Sequence, residues 1–158
     1  MTHLAIVVDQ MKCTGCQICE IACSKTKEEK LWLEASRIKT FPFSPGIDIV
    51  VVCQQCEEAP CLEVCPVDAI ERDPNNEAVI IDEEKCINCQ KCVDACKLGA
   101  IFVHPFDDKP IKCDLCGGDP ECVKKCPTDA IEYQMKPTDE LVSMEEIAKN
   151  IRKKIEVD

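Results

Sequence analysis

Cys86-Ile87-Asn88-Cys89-Gln90-Lys91-Cys92-Val93-Asp94-Ala95-Cys96 sets four cysteines at the spacing C-x2-C-x2-C-x3-C. The same spacing recurs at Cys13, Cys16, Cys19 and Cys23. Two further groups widen the middle gap: Cys53, Cys56, Cys61, Cys65 as C-x2-C-x4-C-x3-C, and Cys113, Cys116, Cys122, Cys126 as C-x2-C-x5-C-x3-C. These groups use all 16 cysteines of the 158-residue chain. The repetition extends beyond cysteine. Leu4 to Cys13 (LAIVVDQMKC) aligns without gaps on Glu77 to Cys86 (EAVIIDEEKC), and Gln17 and Ala22 match Gln90 and Ala95. Groups two and four instead share their exits, Cys65-Pro66-Val67-Asp68-Ala69-Ile70-Glu71 and Cys126-Pro127-Thr128-Asp129-Ala130-Ile131-Glu132. The chain reads as an internally duplicated A-B-A-B array.

Cysteine at this density marks a cross-linked or metal-bound scaffold, and a chain of this size gains much from such staples. Disulfides need an oxidising compartment. The start, Met1-Thr2-His3-Leu4-Ala5-Ile6-Val7-Val8-Asp9, has no basic n-region, full apolar h-region or twin arginine, and no apolar run reaches transmembrane length. A cytoplasmic, reduced chain is expected, in which clustered cysteines hold metal. Two residues between cysteines let a tight loop present neighbouring thiolates, with backbone N–H groups turned towards the bound sulfurs. The run C-x2-C-x2-C-x3-C-P is the bacterial iron–sulfur signature, and its fourth cysteine serves the neighbouring 4Fe–4S cluster. The fourth cysteine lies about 6 Å along a helix from the third, at roughly 1.5 Å rise per residue, so it leaves its own loop for the next. Zinc is the structural alternative, but zinc sites use two separated C-x2-C knuckles, often with histidine. Here each quartet is self-contained, and His3 and His104 are not at ligand spacing.

Thirty acidic against 19 basic residues give a net charge of −11. That balance argues against nucleic acid or an anionic membrane as a partner. No Ser/His/Asp constellation, phosphate loop or paired-carboxylate site stands out, so no catalytic residue is expected. Leu4–Val8, Ile47–Val52, Ala78–Ile81 and Ile101–Val103 read as short strands. Asp73-Pro74-Asn75-Asn76 is a turn signal, which predicts a hairpin between groups two and three. Each C-x3-C is expected on the first turns of a short helix, and Pro66 and Pro127 disfavour continuation there.

From Leu4 to Tyr133 these motifs resemble the polyferredoxin-type iron–sulfur subunits of molybdenum and tungsten pterin oxidoreductases and some hydrogenases. Dimethyl sulfoxide reductase, formate dehydrogenase and tungsten aldehyde oxidoreductases have such subunits. The resemblance implies an α+β, loop-rich fold of two ferredoxin-like dicluster units with short strands and helices, plus a C-terminal helix, and four 4Fe–4S clusters. It implies a nested layout in residues 1–136. The inner unit spans about 47–104, and the outer unit about 1–46 with 105–136. Carried over, Cys53, Cys56, Cys61 and Cys96 hold one cluster, and Cys86, Cys89, Cys92 and Cys65 its neighbour. The outer unit uses Cys13, Cys16, Cys19 with Cys126, and Cys113, Cys116, Cys122 with Cys23. Spacing alone also permits pairing group one with two and three with four. Ser24 and Lys97 depart from the family's proline after the fourth cysteine.

The chain is short for that family and lacks the long insertions and membrane anchor of several relatives. This compact form is most similar to the small subunit of tungsten-containing aldehyde oxidoreductases, and a composition rich in Lys, Glu and Ile suits a thermophile. The implied function is a non-catalytic, anaerobic one-electron relay. It would run between a larger tungsten- or molybdenum-pterin subunit, less so a hydrogenase, and an external ferredoxin or similar carrier. A free-standing soluble polyferredoxin is the alternative, and a zinc scaffold would be colourless. Residues 24–52, with Trp32, Phe41, Pro42, Phe43 and Pro45, read as a loop and helix shielding the clusters, or else a docking segment. In the tail, residues 137–158, Ser143 and Glu146 form a capping box. Met144, Ile147, Ile151 and Ile155 trace one apolar helical face. That helix either packs on the chain's own ferredoxin-like core or docks on the catalytic partner, and docking is the expectation.

Overall fold

The computed structural model describes residues 2–137 and 144–157. Among the described residues every sheet is an antiparallel pair of strands. β1 (Thr2–Val8) pairs with β8 (Ile131–Pro137), setting Ala5 opposite Gln134 and Val8 opposite Ile131. The two ends of the cysteine array therefore lie side by side. β2 (Ile38–Ser44) folds onto β3 (Ile47–Val52), β4 (Ile70–Arg72) onto β5 (Val79–Ile81), and β6 (Phe102–Val103) onto β7 (Pro110–Ile111). Asp73-Pro74-Asn75-Asn76 turns the chain between β4 and β5 as expected. Asp73 Oδ1 accepts the Asn75 N–H at 2.8 Å, and the Asp73 N–H donates to Ala78 O at 2.8 Å. This is the mixed, loop-rich arrangement of short strands and short helices that the sequence predicts.

The cysteine-bearing helices differ in length for a local reason. α1 (Ile18–Glu28) carries both Cys19 and Cys23 and runs on past them. Ser24 permits this, since it keeps its N–H, and its hydroxyl donates to Ile21 O at 3.1 Å. α2 (Pro60–Glu63) and α4 (Glu121–Lys124) are single turns that stop before Cys65-Pro66 and Cys126-Pro127. α3 (Lys91–Ala95) stops as well, although Lys97 is no proline, because Cys96 already adopts an extended backbone (φ −75°, ψ 105°).

The spacer holds more structure than expected. After α1 and a 3-10 turn at Leu33–Ala35 it contributes β2, which the sequence reading omits. Proline inside a strand normally ends pairing; here the register slips between Pro42 and Ser44 to accommodate it.

Cysteine supplies much of the core. One buried cluster joins Ile6, Ile38, Ile49, Val52 and Leu115 with Cys19, Cys23, Cys53, Cys113 and Cys122. A second gathers Ala59, Ile70, Val79 and Ile101 around Cys92. α5 (Met144–Val157) packs against β3. Ala148 and Ile151 are buried in the main cluster and Ile147 lies against it, while Arg152 stands over the Phe43 ring at 5.4 Å. This favours the packing alternative over docking: the described part of the apolar face, Ile147 and Ile151, lies on the chain's own core. The cap residue Ser143 and the side chains of Met144 and Ile155 lie outside the described residues. No helix among the described residues is long and apolar enough to cross a membrane.

Candidate metal centres

Each cysteine loop is shaped by a left-handed residue two places after its first cysteine. Gly15, Gln55, Asn88 and Leu115 have φ of 66°, 52°, 56° and 59°. The turn aims backbone N–H groups back at sulfur. Gln55 N–H donates to Cys53 Sγ at 3.5 Å, and Leu115 N–H to Cys113 Sγ at 3.4 Å. A second device follows the fourth cysteine. Asp68, Gly99 and Asp129, three places on, are left-handed too, and the next N–H in each case reaches the sulfur. Ala69 donates to Cys65 Sγ at 3.2 Å, Ala100 to Cys96 at 3.3 Å and Ala130 to Cys126 at 3.3 Å. In group one α1 occupies that position, so Cys23 takes the Arg37 N–H at 3.3 Å instead. Donors aimed at sulfur favour the thiolate over the thiol.

The cysteines that share a cavity do not follow sequence order. Cys53, Cys56 and Cys61 line one cavity together with Cys96. Cys113, Cys116 and Cys122 line another with Cys23. Cys13 has both Cys16 and Cys126 as charge neighbours. Cys92 has Cys86 and Cys61, and Cys65 packs in the same apolar cluster as Cys92. Further neighbours join the sets: Cys122 with Cys19, and Cys113 with Cys53. Cys16 and Cys89 are exposed, whereas Cys19, Cys23, Cys53, Cys92, Cys113 and Cys122 are buried.

Burial governs the electrostatics. It pushes the Cys19 and Cys122 thiols up to about 12 and those of Cys56 and Cys92 up to about 11. Cys113 is driven well above its ordinary value for the same reason. At Cys126 burial also pulls upward, but the Thr128 and Ala130 N–H groups outweigh it and the thiol falls. A metal must displace those protons, so loading the sites releases acid.

All sixteen cysteines are free of disulfides. Four cysteines line each of the two cavities. Among the described residues no three His, Cys, Asp or Glu side chains close on a position for a single metal ion, whereas zinc draws its sulfurs to about 2.3 Å. A polynuclear group bound by four thiolates fits that arrangement. Thr40 Oγ1 is buried beside Cys19, where its hydroxyl favours the thiolate. Neither histidine joins the cysteines: His3 Nε2 pairs with Gln54 O at 2.8 Å, and His104 Nε2 lies 3.5 Å from Glu28.

Residues 49–136 match the model of the 4Fe-4S dicluster domain, and residues 10–26 that of the 4Fe-4S binding domain. The polyferredoxin-like subunit of the aliphatic sulfonate oxidoreductase of Pyrococcus furiosus is 42% identical over 121 residues, covering 77% of this chain and 70% of that one. The chain belongs to the polyferredoxin-like 4Fe–4S family. The thiosulfate reductase electron transfer subunit PhsB of Salmonella typhi is 32% identical over 84% of this chain and 78% of its own. Electron transport protein HydN of Escherichia coli is 36% identical over 80% and 85%. A solved structure, the active site complex BamBC of benzoyl coenzyme A reductase, shares the polyferredoxin-like fold. Its TM-score is 0.51 at 22% identity, covering 99% of this chain and 92% of the other.

Three residues of the sites escape the sequence reading. Arg37 and Thr40 lie in the spacer, 14 and more residues beyond Cys23, and no local pattern ties them to sulfur. Lys112 sits beside Cys113 and lines the cavity of Cys53, Cys56, Cys61 and Cys96. A lysine next to a cysteine is a visible signal, but Lys12 and Lys85 precede Cys13 and Cys86 in the same way.

Proposed function

We propose that this chain is the electron-transfer subunit of a heteromeric oxidoreductase and relays single electrons through four 4Fe–4S clusters. The quartets are Cys13, Cys16, Cys19 with Cys126; Cys113, Cys116, Cys122 with Cys23; Cys53, Cys56, Cys61 with Cys96; and Cys86, Cys89, Cys92 with Cys65. The observation that carries this reading is that each of two cavities takes three cysteines from one group and the fourth from another. The β1–β8 pairing and the β4–β5 hairpin support the nested units, inner about 47–104 and outer 1–46 with 105–136. When bound, a 4Fe–4S group supplies a one-electron couple. The chain's own part is to hold thiolates, aim N–H groups at them and keep water from the middle sites. The neighbours Cys19–Cys122, Cys113–Cys53 and Cys61–Cys92 support a linear order of the quartets, with the exposed Cys16 and Cys89 at its two ends.

The chemistry of substrate belongs to a larger partner. Its class is a tungsten- or molybdenum-pterin oxidoreductase of the aldehyde or formate type, and the outer electron carrier is a ferredoxin or similar protein. The relatives named as subunits of sulfonate oxidoreductase and thiosulfate reductase support a partnered role. A reducing, anaerobic cytoplasm suits sixteen free thiols. HydN, named only as an electron transport protein, favours the second reading: a hydrogenase-associated or free-standing polyferredoxin.

Anaerobically purified protein should carry about sixteen iron atoms per chain, four for each cubane, and show low-temperature EPR signals of reduced cubanes. Cys126→Ala and Cys13→Ala should lose the same signal. If Cys126→Ala instead matches Cys113→Ala, the exchanged quartets are wrong. Native co-purification with metal analysis of the partner tests the rest: a large subunit with tungsten or molybdenum is expected, and a monomer would favour the second reading.

A further inference from the structure

Lys112 and Gln55 build a buried polar joint between two cysteine loops. Lys112 is only 5% exposed. Its Nζ donates to Val79 O and, at 3.0 Å, to Cys113 O. Gln55 stands within the Cys53–Cys56 loop, is 1% exposed, and crosses the same gap. Its Nε2 donates to Cys113 O at 2.9 Å, and its Oε1 accepts the Val79 N–H at 2.8 Å. Two side chains from different loops thus tie both polar groups of Val79 to one carbonyl.

Packing does not account for a lysine there. A buried ion costs desolvation energy, and an apolar side chain of similar volume is often equal or better in such a place. The ammonium of Lys112 is held by carbonyl oxygens, which offset its charge less than a carboxylate would. The negative charge it faces comes from sulfur. Lys112 lines the cavity of Cys53, Cys56, Cys61 and Cys96. Its bond to Cys113 O at 3.0 Å also sets the ammonium beside a residue that lines the second cavity.

We propose that Lys112 is a potential-setting residue: its ammonium raises the reduction potential of the group held by Cys53, Cys56, Cys61 and Cys96, and to a smaller extent of the group held by Cys23, Cys113, Cys116 and Cys122, with Gln55 fixing it in the joint. Reduction adds one negative charge to such a group, and a nearby fixed cation favours the reduced form. The two middle groups thereby stay reducible although Cys53, Cys23, Cys113 and Cys122 are buried, and burial by itself works against added charge. The inference rests on the four-cluster reading above.

The test is an EPR-monitored redox titration of the purified, iron-loaded chain. Lys112→Met keeps the stem and removes the charge. It should shift one potential clearly negative and a second by less, leaving the other two unmoved. Lys112→Arg, which keeps the charge, should stay close to the unmodified protein. Should Lys112→Met fail to hold its iron, Gln55→Glu replaces it: a carboxylate beside Lys112 cancels the charge and should move the same potentials the same way. Full iron with no potential moved, or with all four moved alike, overturns the role of Lys112. Iron well short of four cubanes in the unmodified protein counts against the four-cluster reading instead.

Discussion

Three of the four left-handed positions that turn N–H groups towards sulfur carry side chains, namely Gln55, Asn88 and Leu115. A Cβ is therefore compatible with this turn, and Gly15 needs another explanation. A Cβ built on Gly15 would stand 2.3 Å from Asp48 Oδ2 and 2.6 Å from Asp48 Cγ, so a side chain here has to push the Asp48 carboxylate of β3 aside. Gly15→Ala should cost about 1–2 kcal/mol for a Cβ in left-handed backbone, plus what Asp48 loses by moving away. The readout is visible bleaching under chelator, which should be faster and confined to the signal that Cys13→Ala also removes. In an Asp48→Ala background the Gly15→Ala effect should shrink, since the two residues share one contact. An unchanged effect would place the whole cost in the backbone.

At the scale of elements, the cysteine loops and the β4–β5 hairpin are legible because their determinants are local. Cysteine spacing, an Asx turn at Asp73 and the prolines after Cys65 and Cys126 act within a few residues. β1, β3, β5 and β6 are found to within two residues for the same reason. β2 is missed because Pro42 argues against a strand, and only the partner β3 and a register slip make it one. The sulfur donors Arg37 and Thr40, and the joint of Gln55 with Lys112, are set by tertiary approach and leave no periodic trace. The amphipathic pattern of α5 foretells a buried face, yet not which surface buries it. β3 does so, through Ala148 and Ile151. Ile151→Ala should cost about 2 kcal/mol, at the lower end for a buried aliphatic residue since α5 lies at the periphery. A lower midpoint of thermal bleaching for the isolated chain is the expected result. Unchanged stability together with weakened binding of a large subunit would return α5 to a docking role.

The whole molecule has little to stand on besides its cysteines. Its sheets among the described residues are all two-stranded, and a two-stranded ribbon is marginal in water without further packing. Aromatic residues make up 4% of the chain, so few large side chains bridge one ribbon to the next. The buried clusters close instead through Cys19, Cys23, Cys53, Cys92, Cys113 and Cys122. Take the iron away, and those positions become thiols around unfilled space, which forfeits dispersion contacts on every wall. Polar devices lose their purpose at the same time, since N–H groups aimed at Cys23, Cys53 and Cys113 then face weakly accepting thiols. A net charge of −11 also opposes compaction. Binding of the clusters is therefore coupled to folding of the chain, as it is for small metal-dependent domains. Chelation under reducing conditions should collapse the far-ultraviolet circular dichroism and amide dispersion together, and iron with sulfide should restore both. An iron-free chain that kept native amide dispersion would mean that the ribbons and α5 form a self-sufficient core, and would remove the argument that the sulfurs hold this fold together.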